Sequence, residues 1–142
     1  MKKFVFVGLL LLIFIGGMTG CKSKAETLEE NLISHTWSTV FANGVVSDMV
    51  FYANHTATAG EGIFSTSYDW DVKDNNQVTL SYMDGNWLCT VLFNVADDGE
   101  NGYIFTFVEI TTEPEQETDI NHDNIKSSAE RRFNTVTFTP KD

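Results

Sequence analysis

The residues best placed to do chemistry lie near the C-terminal end, in Asp119-Ile120-Asn121-His122-Asp123-Asn124-Ile125-Lys126-Ser127-Ser128-Ala129-Glu130. Asp119, Asn121, Asp123 and Ser127 carry oxygen side chains at alternate or near-alternate positions, Glu130 closes the run, and the carbonyl of Ile125 adds one more oxygen. Calcium takes about six to eight hard oxygen ligands, and a loop with this spacing wraps them around one point. An acidic, solvated loop is the competing reading of the same residues.

The run resembles the calcium loop of the EF-hand proteins, which implies a metal set of Asp119, Asn121, Asp123, Ile125, Ser127 and Glu130. It departs from that pattern in three places. Asn124 replaces a glycine, a tolerable change because asparagine enters left-handed conformations. Lys126 stands where an aliphatic residue is usual, and Pro114 upstream with a strand downstream leaves no helix pair.

Other reactive groups give no constellation. His35, His55 and His122 are scattered, without the spacing of a zinc site. The pairs Asp69/Asp71 and Asp97/Asp98 offer carboxylates for acid and base work, but such pairs more often belong to solvated turns. Gly60-Glu61-Gly62 lies between strands and lacks the helix a dinucleotide loop needs. With no nucleophile elbow, zinc-protease helix, paired-cysteine motif or phosphate loop, the chain reads as a binding protein rather than an enzyme, with calcium as its one candidate cofactor.

The N-terminus supplies the address. Two lysines, an apolar run from Phe4 to Ile15, and small residues leading to Cys21 have the form of a secretion signal. The apolar run is shorter than the roughly 20 residues a bilayer-spanning helix requires. Met18-Thr19-Gly20-Cys21 resembles a bacterial lipobox, with Met in place of the usual Leu. That resemblance implies cleavage before Cys21, acyl chains on its sulfur and amino group, and a permanent membrane anchor, since two or more chains hold stably where one does not. Lys22 lacks the aspartate tied to inner-membrane retention in one group of such lipoproteins, which leans toward the outer membrane or cell surface.

Composition narrows the partners. The chain has 142 residues and a formal charge of −11. Loss of residues 1–20 removes two of the nine basic residues and none of the twenty acidic ones, leaving −13. Such a surface repels nucleic acid and anionic lipid and favours cationic peptides or proteins. With Cys21 acylated, Cys89 is the one free thiol, and its apolar setting in Trp87 to Val95 is that of a small buried hydrophobe.

The elements that position these residues follow from the pattern. Residues 21–32 read as a tether with one short helix, marked by the capping box Thr27-Leu28-Glu29-Glu30 and turning Leu28 and Leu32 inward. Residues 33–142 alternate with period 2 and break at turns every ten to twelve positions. Strands are expected at His35–Ala42, Val45–Tyr52, Ile63–Val72, Gln77–Met83, Trp87–Val95, Tyr103–Thr111 and Arg131–Pro140, with a weak one in Thr56–Gly62. Asn43-Gly44 has the form of a two-residue hairpin turn. Trp87–Val95 and Tyr103–Thr111 are apolar on both faces, which predicts that these strands are covered twice. Glu113 to Glu130 reads as an irregular acidic segment. About eight consecutive antiparallel strands make an all-β meander closing on itself, or a two-sheet sandwich.

A short helix, then Ile33-Ser34-His35-Thr36-Trp37, then an up-and-down series of strands resembles the small lipocalin-like domains of bacterial lipoproteins. His35 stands where those domains carry a glycine. Asp69-Trp70-Asp71-Val72 and Val78-Thr79-Leu80 resemble their middle strands. The resemblance implies an eight-stranded barrel holding one small apolar ligand, with Trp37, Phe41, Phe51, Trp70, Tyr82, Phe93 and Phe105 lining the cavity; plain core is the competing role for these rings. It also implies a basic residue, Arg131 or Arg132, packed over Trp37 at the barrel end.

Overall fold

The computed structural model describes residues 24–60, 63, 65–74, 76–113 and 120–141. Among them, eight strands run in order: β1 (Thr36–Val40), β2 (Val46–Phe51), β3 (Thr56–Ala59), β4 (Thr66–Lys73), β5 (Gln77–Asp84), β6 (Trp87–Asp97), β7 (Tyr103–Glu113) and β8 (Thr135–Pro140). Helix α1 (Lys24–Ser34) precedes β1, and helix α2 (Ile120–Phe133) lies between β7 and β8. Each strand pairs antiparallel with the next, and β8 returns to β1, so the sheet is a closed up-and-down barrel of lipocalin-like type. Closure leaves the expected alternation with one core: Trp37 and Thr39 on β1, Tyr68 and Trp70 on β4, and Val78 and Leu80 on β5 all point inward and are buried.

Three local expectations change. Thr56–Ala59 is a full ladder strand between β2 and β4, because Ala57 and Ala59 are small enough to be buried beside larger neighbours. The β1–β2 hairpin closes through Phe41 N to Val45 O at 2.9 Å, so its loop is Ala42-Asn43-Gly44, with Gly44 left-handed at φ 88°, rather than Asn43-Gly44 alone. Helix α1 starts at Lys24, which places Thr27 inside it instead of at its cap. Leu28 and Leu32 are buried in the barrel core, as their inward turn predicted, so the helix is docked rather than extended.

The two-faced hydrophobicity of β7 has a different cause from a second covering layer. A bulge shifts the register where Leu92 pairs with Glu109 and Phe93 with Phe107, leaving Val108 as the extra residue. Phe105 and Phe107 point inward before it, Ile110 and Thr112 after it, so one inward face reads as two in the sequence. On the outer wall Leu88, Leu92 and Ile104 are half-buried and Val108 is exposed.

The largest correction is α2. Residues expected to be irregular to Glu130, and then strand from Arg131, form a fourteen-residue helix. Ile125, Ala129 and Phe133 recur every fourth position and make the stripe that packs inward. Arg131 and Arg132 in the last turn suit the negative end of the helix dipole.

Candidate functional site

The barrel has two poles. At the first lie α1, the start of β1, and the turns β2–β3, β4–β5 and β6–β7; at the second lie α2, the β1–β2 hairpin and the β5–β6 turn. Every candidate ligand-contacting side chain sits between or on these poles.

The seven rings named as cavity lining come together in the interior. Trp37, Phe41, Phe51, Trp70, Phe93 and Phe105 are buried, and Tyr82 is half-buried. They are joined by Phe138 and Phe133, whose place in the interior the strand pattern did not single out. A ladder of ring contacts runs pole to pole: Trp37 to Phe138 at 6.4 Å, Phe138 to Phe105 at 4.3 Å, Phe105 to Phe93 at 5.5 Å, and Phe93 to Phe133 at 5.8 Å. Phe133 then meets Tyr82 at 5.7 Å and Phe41 at 6.0 Å. Separations up to about 7 Å are those of rings in direct contact, so these side chains pack against one another along the axis.

At the α1 pole polar contacts tie the helix down. The Trp37 indole Nε1 donates to the Leu32 carbonyl at 2.9 Å, and the Asn31 amide donates to the Tyr103 hydroxyl at 2.9 Å. His55 Nε2 lies 2.6 Å from Glu29 Oε1, while its ring stacks on Trp70 at 5.0 Å and its Nδ1 stands 3.6 Å from Asp71. The Trp70 indole in turn donates to the carbonyls of Tyr52 and Thr56, which fixes the turn carrying His55. Beside α1 an open groove of ≈ 280 Å³ is lined by Thr27, Leu28, Asn31, Asn76, Val95, Asp97 and Tyr103. Glu26, Glu30, Asp74, Asp97 and Glu100 are exposed around this pole.

The α2 pole is sealed by a cation. The Arg132 guanidinium lies 5.1 Å from the centres of both Phe41 and Phe133 and donates to the Tyr68 hydroxyl at 2.7 Å. Its backbone carbonyl also accepts from Ala42, strapping the hairpin to the helix. Burial pushes the Tyr68 phenol up, against the opposing pull of Arg132. Burial likewise raises Tyr82 well above the usual tyrosine range and raises the thiol of its neighbour Cys89. The implied cation over Trp37 is thus corrected: Arg132 sits at the pole away from Trp37, and Arg131 is exposed.

The run read as a calcium loop is helical over its described part. From Ile120 onward the run is α-helical, and in a helix Asp123 and Glu130 are about 10 Å apart along the axis, so a wrapped loop cannot form. The Ile125 carbonyl belongs to the same helix. Asp119 lies outside the described residues, as does Cys21, and the side chain of Asn121 is likewise undescribed. Among the described residues no three His, Cys, Asp or Glu side chains converge to hold a metal. Among them, too, no helix is long and apolar enough to cross a membrane. Comparison of the chain with models of protein families, with curated proteins and with solved structures finds no match.

Proposed function

We propose that this chain is an exported lipoprotein, anchored through Cys21 in the cell envelope, whose lipocalin-like barrel works as a rigid binding module for a cationic peptide or protein. The observation that carries the reading is the ring ladder from Trp37 to Phe133. A small apolar ligand inside the barrel, the function a hollow lipocalin would have, needs several of these contacting rings displaced, Phe133 of α2 among them. Binding therefore falls to the exterior. Acidic residues outnumber basic ones there, which favours a cationic partner by complementarity and attracts it from a distance. No nucleic acid fits that charge.

Calorimetric titration of the mature domain with a lysine-rich peptide tests the exterior. Binding that weakens steeply between low and physiological salt is expected, because exposed charges are screened beyond about 8 Å at 0.15 M. No heat at low salt would overturn it. Native mass spectrometry of the protein from its own envelope tests the interior, and an apolar adduct that survives desalting would restore the ligand-cavity reading.

A further inference from the structure

We propose that the α1 pole is the face of the barrel held against the membrane, and that the α2 pole with the β1–β2 hairpin points away from it. The inference rests on the lipid anchor at Cys21 proposed above. What adds to it is the docking of α1. A twelve-residue tether would let the domain wander as far as about 40 Å from its anchor. Instead, α1 begins at Lys24 and is docked on the barrel through its second half: Leu28 and Leu32 are buried, Asn31 bonds to Tyr103 on β7, and Glu29 bonds to His55 in the β2–β3 turn. Those contacts come from different sides of the pole, so the helix cannot swing out as an arm without breaking several at once.

Only residues 21–23 then separate the anchor from the rigid body, a reach of no more than about 10 Å at full extension. The barrel is taller than that. An eleven-residue strand such as β6, tilted as barrel strands are, spans roughly 25–30 Å along the axis. The α1 pole is therefore the end held near the headgroups, and the α2 pole lies a barrel's height away from the anchor along the axis. Charge does not produce this arrangement, because Glu26, Glu30, Asp74, Asp97 and Glu100 would be repelled by anionic lipid. The shortness of the linker imposes it. A partner must consequently approach the barrel wall or the α2 pole, where Val45 and Val46 are exposed and Arg131 accompanies Asp84, Asp123 and Glu130.

Fluorescence quenching on the full-length lipidated protein tests the orientation. Asp74→Cys at the α1 pole and Ala42→Cys at the α2 pole each replace an exposed residue and are labelled singly, Cys89 being buried. The labelled proteins are placed in phosphatidylcholine vesicles containing lipid with a nitroxide on its headgroup, after intact mass has established acylation. Quenching several-fold stronger at position 74 than at position 42 is expected. A flexible Gly-Ser insertion between Ser23 and Lys24 should remove most of that difference. Equal quenching on acylated protein would overturn the orientation and leave the anchor standing, as would a difference that the insertion leaves intact. Absence of acyl mass would overturn the anchor and the orientation with it.

Discussion

The two poles of this barrel solve the same problem with different materials. Each end of a closed sheet would expose core to water, and each is plugged by a helix. At the α1 pole the plug is aliphatic, Leu28 and Leu32, and its rim is fastened by side-chain hydrogen bonds involving Trp37, Tyr103 and His55. At the α2 pole the plug is Phe133 with Ala129, and an arginine lies across the rings. The difference follows from chain connectivity. Helix α1 leads directly into β1 and needs only to fold back on the strand it precedes. Helix α2 is inserted between β7 and β8, so its last turn must deliver the chain into the closing strand, and Arg132 fixes that last turn to Tyr68 and to the hairpin.

Removing the two plugs compares them most directly. Phe133→Ala is expected to cost about 3–5 kcal/mol, since the ring touches Phe41, Tyr82 and Phe93 in a site with little freedom to collapse. Leu32→Ala, at the aliphatic pole, should cost about 2–4 kcal/mol. Urea unfolding of both variants measures this; equal losses would remove the difference between the poles, and a larger loss for Leu32→Ala would make α1 the main closure.

A smaller effect comes from the cation. Arg132→Met keeps most of the side-chain volume but loses the ring contacts and the bond to Tyr68, for an expected loss of about 1–2 kcal/mol. Arg132→Lys should recover little of it, because a lysine cannot both stack flat and reach the phenol. Full recovery in the unfolding midpoint would reduce Arg132 to a point charge.

The mildest perturbation is alkaline pH, and it too separates the poles. Tyr82, Tyr68 and Cys89 all have acid forms favoured by burial in the folded state, above ordinary values of 10.0 for the phenols and 9.0 for the thiol. The unfolded chain therefore releases these protons first. Their stabilisation is complete below pH 9 and declines as pH rises through 9 to 10 and above. Unfolding midpoints measured from pH 8 to 10.5 should fall over that interval, and Tyr82→Phe should flatten the decline. A flat profile in the parent protein would place these groups in contact with water.

The strands were legible because burial in a closed sheet leaves a period of two. Trp37, Thr39 and Phe41, or Tyr68, Trp70 and Val72, declare one face without any knowledge of their partners. Helix α2 was not legible for the opposite reason. Its apolar stripe is three residues in fourteen, Ile125, Ala129 and Phe133, and the oxygens of Asp119 to Glu130 suggest a metal loop more loudly than that stripe suggests a helix. The i, i+4, i+8 spacing was the available signal. The bulge at Val108 could not be read either, since a register shift exists only relative to the partner strand. The same limit holds for the aromatic site: the seven rings lie in the interior, but which rings they meet depends on Phe133 and Phe138 arriving from distant parts of the chain.

By itself, then, the sequence determined the approximate number of strands, most of the inward faces and the strongly acidic composition, because each is a property of residue types at fixed local spacing. Tertiary structure alone decided that the rings meet along the barrel axis and that a helix closes each end. Those outcomes depend on which side chains meet across long sequence separations, and no local period records that.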